Sequence, residues 1–377
     1  MTDRALDPRV AEDLRRRARE SVEAGDVPSC QIAVAYQGEV VLDETYGADP
    51  ASRYVIFSAT KPVVASAVWM LLAEGKLDLD RPVAADIPEF ATNGKESVTL
   101  EHVLLHTGGF PQAPMAPALW NDREGRIRRF ADWRLTWPAG TAFEYHPASG
   151  HWVLAELIHR AAGRDFREVV RERVVLPLGL KTFALGVEPQ DAGDVQEIAF
   201  SGQPVDPDEL ERALGIREMP AVADDHTLLD FNTDDGRRAG MPGGGGISTA
   251  ANVTLFYQAL LHDPKGLWDK EILADATGVA RNHFVDPMTG DPANRSRGLV
   301  IKGDDGKGER RHDFGPTTSP RAFGHSGVGG QIAWADPHTG LSFCHLTNGL
   351  DRNPIRQAKR SYALSKRAGM LRTGAGS

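Results

Sequence analysis

Hydrophobic positions repeat with a helical period near the start of the chain, and strand-like patterns follow directly. Val10, Leu14, Ala18 and Val22 recur every four residues, which predicts an amphipathic surface helix. The next segment holds two runs rich in β-forming residues on either side of a Gln-Gly-Glu turn at 37–39. This arrangement is typical of a β-hairpin.

A continuous apolar segment comes next and predicts a helix in the centre of the protein. Residues 63–72 are apolar nearly all round, so no face of this helix is suited to contact with water. Pro62 falls in the first turn, where its missing N–H costs nothing, and Gly75 can end the helix.

The middle of the chain has helical periodicity, whereas strand patterns return near its end. Helical spacing dominates 79–239, although 206–235 is acidic and irregular and predicts a long surface loop or lid. Runs of β-forming residues resume at 298, and a basic helical pattern follows at 353–369.

Together these elements predict an α+β fold. One antiparallel β-sheet is built from the two ends of the chain and flanked by helices, and a mostly helical lobe is inserted between its halves. We expect a single domain over 1–377, with an α/β lobe at about 1–78 plus 240–377 and the helical lobe at about 79–239.

Composition and charge exclude several classes of function. The formal net charge of -9 lacks the basic excess that a nucleic-acid-binding surface needs. No apolar run reaches the roughly 18 residues of a membrane span. The charged N-terminal segment has no apolar signal-peptide core, so we expect a cytoplasmic protein. Cys30 and Cys344 lie in apolar stretches and are expected to be buried free thiols.

The first candidate for chemistry is Ser58-Ala59-Thr60-Lys61 at the start of the apolar helix. Residues three apart on a helix share one face, so the Ser58 hydroxyl and the Lys61 amine are expected to be neighbours. The helix dipole places positive potential at Ser58. Apolar surroundings make a lysine easier to deprotonate, which suits Lys61 to accept the serine proton.

Two further motifs could complete such a site. Tyr145 stands directly before a predicted helix, where its phenol could relay a proton, although a structural tyrosine is the ordinary interpretation. The glycine-rich run 324–330 precedes a strand, so its backbone could offer N–H groups to an oxyanion. Ser326 in this run is a poor nucleophile candidate, because Val328 replaces the last glycine of a nucleophile elbow.

Metal and nucleotide sites are disfavoured. His102 and His106 are four residues apart, but no third ligand is obvious and the H-E-x-x-H pattern is absent. The glycine-rich run at 241–250 lacks the Lys-Ser/Thr pair of a phosphate-binding loop. We therefore expect no metal and no organic cofactor.

The order and spacing of these motifs resemble the serine β-lactamase and penicillin-binding-protein superfamily, in the class C-like branch that also holds family VIII carboxylesterases. The resemblance covers about 27–348. It rests on five segments: FSATKPVVASAVWMLLAEGKLDLDRPVAADIPEF, VTLEHVLLHTGGFP, FEYHPASGHWVLAELIHRAAG, PGGGGISTAANV and FGHSGVGG. The resemblance implies a β-lactamase/transpeptidase-like fold that agrees with the α+β prediction.

Carried onto this sequence, the resemblance implies roles for three side chains. Ser58 is the nucleophile of the S-x-x-K motif, and Lys61 is its base. Tyr145 stands at the tyrosine of the family's Y-x-N motif and would assist proton transfer to and from the leaving group. The domain is then a catalytic domain.

The third motif and the oxyanion hole carry over with two departures. His325 and Gly327 occupy the third motif, and the oxyanion hole would be the backbone N–H groups of Ser58 and Val328. His325 replaces the lysine of K-T-G, so a substrate carboxylate would meet less positive charge. Pro147 replaces the asparagine of Y-x-N, which helps to orient the amide side chain of a β-lactam. Both losses affect β-lactam recognition rather than acyl transfer.

The sequence therefore predicts a serine hydrolase that acts through an acyl-enzyme, foremost a carboxylesterase for short-chain or aryl esters. A β-lactamase, a D-amino peptidase or amidase, and an acyltransferase are alternatives that use the same site. An alternative of another class is a non-catalytic binding or sensor module. The expected partner is a small ester or amide substrate, and the sequence leaves the oligomeric state open.

Overall fold

The computed structural model describes residues 6–218, 225–307 and 313–372. Its strands are β1 Cys30–Tyr36, β2 Glu39–Tyr46, β3 Tyr54–Val55, β4 Ala184–Leu185, β5 Ala199–Ser201, β6 Gly246–Ser248, β7 Val300–Ile301, β8 Phe323–Gly324, β9 Ile332–Asp336, β10 Leu341–Thr347 and β11 Gly349–Asp351. Its α-helices are α1 Pro8–Glu23, α2 Lys61–Ala73, α3 Val83–Asp86, α4 Leu100–Leu104, α5 Arg123–Asp132, α6 Ser149–Ala162, α7 Phe166–Val170, α8 Leu176–Leu178, α9 Pro207–Leu214, α10 Asp225–Leu229, α11 Asp234–Ala239, α12 Ala250–His262, α13 Lys270–Gly278 and α14 Pro354–Met370.

A six-stranded antiparallel sheet joins the two ends of the chain. Its strand order is β2-β1-β10-β9-β8-β7. In the register of its two long central strands, Cys30 pairs with Thr347 and Tyr36 pairs with Leu341. Every residue of β1 and β10 is buried, because both faces of the sheet are covered. The predicted antiparallel sheet built from both chain ends is therefore confirmed.

Helices cover the sheet on its two sides. The first helix, α1, packs with α14, and both lie in one hydrophobic cluster with the outer face of the sheet. Leu14 and Ala18 of α1 are completely buried in that cluster, which confirms the predicted amphipathic helix. The other face of the sheet is covered by α12, which contacts β1, β9 and β10.

The central helix α2 is buried along nearly its whole length. Every residue from 61 to 71 is buried, and α2 packs against α6 and α7. Pro62 lies in its first turn, and Gly75 takes a left-handed φ of 66° just beyond its end. The prediction of an apolar helix in the centre of the protein is confirmed.

Two smaller sheets connect the middle of the chain to its ends. One has the strand order β3-β6-β4 and the other pairs β5 with β11 in parallel. In the first of these sheets Tyr54 pairs with Ser248, and Ala184 pairs with Ile247. This three-stranded sheet ends beside the start of α2, so it positions the residues that surround Ser58.

The prediction of an irregular loop over 206–235 is wrong for much of its described part. Asp206 accepts hydrogen bonds from two amides of α9, Pro207 occupies the first turn, and Gly215 closes the helix in a left-handed conformation. Helices α10 and α11 cover most of 225–235. Local capping groups form helices here despite the high acidic content. Residues 219–224 lie outside the described residues.

Two further sequence predictions concern the cysteines and membrane-spanning segments. Cys30 and Cys344 are buried free thiols on the neighbouring strands β1 and β10, as predicted. Within the described ranges, no helix is both long enough and apolar enough to cross a membrane.

Candidate active site

Ser58 lies at the point where the three-stranded sheet meets the central helix. Strand β3 pairs with β6, and the Ile56 amide donates to the Gly246 carbonyl at 2.8 Å. Phe57 then takes a left-handed φ of 44°, which bulky residues rarely adopt, and a 3-10 turn over 57–60 leads into α2. This sharp turn holds Ser58 at the head of the helix.

Lys61 is completely buried one turn after Ser58. Its Nζ donates to Ser58 Oγ at 3.1 Å, to the Pro147 carbonyl at 2.8 Å and to the Gly243 carbonyl at 2.6 Å. Burial lowers the pKa of Lys61, and the neighbouring Tyr145 phenol opposes this shift. Once neutral, the amine has a lone pair that the Ser58 hydroxyl can donate to.

Tyr145 comes from the loop before α6 and meets the same serine. Its hydroxyl donates to Ser58 Oγ at 3.0 Å, and Lys61 Nζ lies 5.2 Å from the centre of its ring. The ring is held between the His106 imidazole at 4.8 Å and the Arg295 guanidinium at 4.8 Å. The structure thus brings both Lys61 and Tyr145, which the sequence singled out, within hydrogen-bond distance of Ser58.

The glycine-rich run after β8 forms the opposite wall of the site. Its turn is closed by the Gly327 amide, which donates to the Gln331 carbonyl at 2.9 Å. A Cβ atom on Gly327 would lie only 2.6 Å from the Ile56 carbonyl oxygen, so only glycine lets this turn approach the start of α2. Val328 and Ser58 line the same cavity, where the sequence predicted an oxyanion hole.

His325 is buried and neutral in this wall. Its Nδ1 lies 2.7 Å from the Ser326 carbonyl, and its Nε2 lies 3.0 Å from Arg295 Nη1. Because a guanidinium only donates, Nε2 accepts and Nδ1 carries the proton. Burial, followed by the charges of Arg295 and Lys61, holds the pKa of His325 well below its ordinary range.

Arg295 is the residue of the site that the sequence did not reveal. Sequence reasoning expected little positive charge at the third motif, because His325 stands in place of a lysine. The structure places the Arg295 guanidinium against His325 and over the face of Tyr145, so a cation does lie there. Arg295 is 30 residues before His325 in an irregular segment, and no local motif marks it.

Around Ser58 the cavity has a volume of about 400 Å³ and two different sides. One side is apolar, where the Phe231 ring packs against Phe57 at 5.6 Å and against Trp120 at 5.2 Å between centroids. The other side is polar, with Arg295, His325, Ser326, Asp313 and Gln357 along it. The cavity can therefore accommodate both an apolar substituent and a polar group.

The pair His102 and His106 and the glycine-rich run at 241–250 have structural roles instead of binding a metal or a nucleotide. His102 Nδ1 accepts from the Thr99 amide in a helix cap, whereas His106 Nδ1 accepts from the His146 amide. Among the residues that the structure describes, no cluster of three or more metal-ligating side chains is found. Gly243 supplies the carbonyl that binds Lys61, so the run supports the candidate site instead of a nucleotide.

The close approach of Gly327 gives a testable prediction. We expect Gly327→Ala to lower kcat/KM for an ester by about 10²-fold, because the added methyl group pushes the turn with Val328 away from Ser58. Gly278→Ala is the matched control, since a Cβ there meets nothing within 4 Å. Steady-state kinetics with both variants check this prediction, and equal rates would contradict it.

Comparisons with known proteins find relatives that match most of the chain. The profile of the family described as Beta-lactamase matches residues 14–368. Over 354 residues the chain is 28% identical to the esterase/beta-lactamase LipL of Mycobacterium tuberculosis, covering 85% of this chain and 76% of LipL.

Solved structures share the fold over nearly the whole chain. A penicillin-binding-protein homologue from Caulobacter crescentus is 27% identical with a TM-score of 0.77, covering 97% of this chain and 98% of the homologue. A family VIII carboxylesterase is 24% identical with a TM-score of 0.76 over the same shares of the two chains. At that identity, the second likeness shows the fold alone.

Proposed function

The chain belongs to the beta-lactamase family, a family of serine hydrolases, and from this premise we propose that the protein is a carboxylesterase that cleaves short-chain or aryl esters through an acyl-enzyme. One observation carries the proposal. Ser58 Oγ accepts hydrogen bonds from both Lys61 Nζ at 3.1 Å and Tyr145 Oη at 3.0 Å. A hydroxyl with two proton-transfer groups is equipped to become a nucleophile.

Acylation would begin with the attack of Ser58 Oγ on the ester carbonyl. Lys61 in its neutral form takes the serine proton, and Tyr145 passes a proton to the departing alkoxide, which leaves as the alcohol. The backbone N–H groups of Ser58 and Val328 bind the oxyanion of the tetrahedral intermediate. The products of this step are the free alcohol and an ester between the acyl group and Ser58.

Deacylation would use the same residues in reverse. A water molecule takes the place of the alcohol, gives its proton to the Tyr145–Lys61 pair and attacks the acyl carbonyl. Ser58 then recovers its proton as the carboxylic acid leaves. None of these steps requires a metal or an organic cofactor.

The residues around the site favour esters over β-lactams. Pro147 has no side-chain amide to orient a β-lactam, and its carbonyl already accepts a hydrogen bond from Lys61. His325 is neutral and its two nitrogens are both engaged, so it offers no charge of its own to a substrate. The name of the relative LipL, which includes both activities, supports an esterase as well.

Arg295 favours a second candidate function. A guanidinium in the wall of the cavity suits substrates that carry a carboxylate, as β-lactams and peptides with a C-terminal residue do. A β-lactamase or a D-amino peptidase would use the same acyl-enzyme steps. Acyl transfer to a small alcohol is a third outcome of those steps, since an alcohol can replace water in deacylation.

A substrate panel tests the proposal. We expect kcat/KM for p-nitrophenyl acetate and butyrate to exceed that for a chromogenic cephalosporin by about tenfold or more, because the site retains acyl transfer and lacks β-lactam contacts. Faster cleavage of the cephalosporin would contradict the esterase and favour the second candidate. A stable penicillin adduct in mass spectrometry, without turnover of any substrate, would instead indicate a binding or sensor module.

A further inference from the structure

A hydrogen-bonded hairpin projects from the polar side of the cavity, and it is called here the apolar hairpin, residues 282–295. Bridges between Asn282 and Arg295 and between Val285 and Pro292 pair its two arms. The Ala293 amide also donates to the Phe284 carbonyl at 2.9 Å. The hairpin therefore has a defined shape.

The base of the hairpin is anchored in the protein. Asn282 is buried, and its Nδ2 donates to the Leu105 carbonyl at 2.9 Å just after α4. Its Oδ1 accepts from the Phe284 amide at 2.9 Å. At the other end of the hairpin, Arg295 contacts His325 and Tyr145. The position of the hairpin is thus coupled to the wall of the candidate active site.

The tip of the hairpin exposes large apolar side chains to solvent. Phe284, Val285 and Met288 are 42%, 61% and 70% exposed. Among the described residues only five large hydrophobic side chains are at least 42% exposed, and these three lie within five consecutive positions. Single exposed apolar residues need no explanation, but a cluster on a projecting element marks an interaction surface.

The apolar tip is continuous with the mouth of the cavity. Met288 and Val328, which is 39% exposed, both line the cavity that contains Ser58. An apolar surface that contacts the tip therefore also contacts the opening through which a substrate reaches the serine. This continuity favours the substrate itself, in an aggregated form, as the surface that contacts the tip. A protein partner that binds away from the cavity is not favoured.

Charge restricts the surface that the hairpin can contact. Asp286 lies in the hairpin, and the whole chain has a formal net charge of -9. An anionic lipid surface would repel such a protein, because surface binding of that kind depends on clustered basic residues. An anionic lipid surface is therefore disfavoured as the occupant, whereas a surface of uncharged esters meets no such repulsion.

We propose that the apolar hairpin docks on the surface of aggregated neutral esters, such as emulsified triglycerides, and delivers the enzyme to them. The proposal rests on the esterase function above and extends its substrate class from dissolved esters to esters at an interface. Phe284 and Val285 insert into the aggregate, while Met288 guides an ester chain into the cavity.

Binding is tested without catalysis. A Ser58→Ala protein is mixed with a triolein emulsion stabilised by phosphatidylcholine, and the bound fraction is measured by flotation. We expect the double substitution Phe284→Ser/Val285→Ser to lower affinity for the emulsion about tenfold or more, because two inserted apolar side chains are lost. Met370→Ser is the matched control, since Met370 is 45% exposed on α14 and should leave binding unchanged. Adding phosphatidylserine to the emulsion should weaken binding.

Hydrolysis provides the second arm. The rate at which the wild-type enzyme hydrolyses tributyrin should rise sharply once the tributyrin concentration exceeds its solubility limit. The double variant should lack this rise, but it should cleave dissolved p-nitrophenyl acetate at the wild-type rate. Equal binding of the double variant, or a wild-type rate that saturates below the limit, would overturn the docking proposal. Emulsion binding without ester cleavage would refute the esterase alone. A wild-type dimer that the double substitution dissociates, seen by sedimentation velocity, would assign the hairpin to a second copy and overturn the proposal.

Discussion

Ser58→Ala is expected to reduce ester turnover by about 10⁴-fold or more, because it removes the only atom proposed to form the acyl-enzyme. The cavity and the predicted oxyanion groups remain, so a small residual rate above that of water can persist. Initial rates with p-nitrophenyl butyrate measure the effect. A fluorophosphonate should add to the wild-type peptide that contains Ser58 and should leave the variant unlabelled in mass spectrometry.

A serine in α2, the helix that follows Ser58, provides the matched control for this substitution. Ser66 is buried in α2, and its hydroxyl donates to the Val63 carbonyl of the same helix at 2.8 Å. Ser66→Ala should therefore keep near wild-type turnover. If Ser58→Ala cleaved esters as fast as Ser66→Ala, the acyl-enzyme at Ser58 would have to be abandoned.

Lys61→Met is expected to lower kcat by about 10³-fold, because methionine keeps the apolar length of the side chain and removes the base. The nucleophile is still present, so slow labelling of Ser58 by a fluorophosphonate should remain. Stopped-flow acylation with p-nitrophenyl acetate measures the loss directly. A variant with wild-type acylation would contradict the role of Lys61.

The pH dependence of the wild-type enzyme is part of the same prediction. Burial lowers the pKa of Lys61 from 10.5, so the rate of acylation should rise as pH increases through that lowered value and the amine becomes neutral. The unfolded chain binds more protons in the window between the lowered pKa and 10.5. The free energy of unfolding should consequently rise with pH across that window. Lys61→Met should lack the rise in acylation rate and should show a smaller rise in the free energy of unfolding, because the Lys61 contribution to that rise is removed.

A second buried lysine distinguishes the base from a merely buried amine. Lys95 is completely buried and donates to the Thr92 carbonyl and hydroxyl and to the Trp133 carbonyl. Burial lowers the pKa of Lys95 to about 8. Lys95→Met removes a comparable group outside the residues that line the cavity. We expect it to lower thermal stability while the folded fraction keeps its kcat.

Elements with strong local patterns were predictable from the sequence. Helix α1 follows from Leu14 and Ala18 on its buried face, and α2 follows from an uninterrupted apolar segment. Helix α9 was missed because its acidic composition was interpreted as a loop, although Asp206 and Pro207 form a regular helix start. In that case the capping residues were a better guide than the overall polarity.

In the candidate site, too, the contact between residues close in sequence was more predictable than the contact between distant residues. The proximity of Ser58 and Lys61 is a consequence of helical spacing, so it needs no knowledge of the rest of the chain. Tyr145 lies 87 residues away in sequence, and its contact with Ser58 was inferred from motif order before the structure placed the two oxygens 3.0 Å apart. Its proposed role in proton transfer remains a prediction.

By itself, the sequence determined the helices with strong apolar periodicity, the sheet-forming ends of the chain and the Ser58–Lys61 pair, because periodicity and spacing are local properties. Only the tertiary structure decided that Arg295 lies against His325 and that Gly243 and Pro147 bind the lysine amine. Those contacts join segments that are distant in sequence and irregular in pattern. Their geometry follows from how the small sheet, the central helix and the loops pack together, which no local pattern encodes.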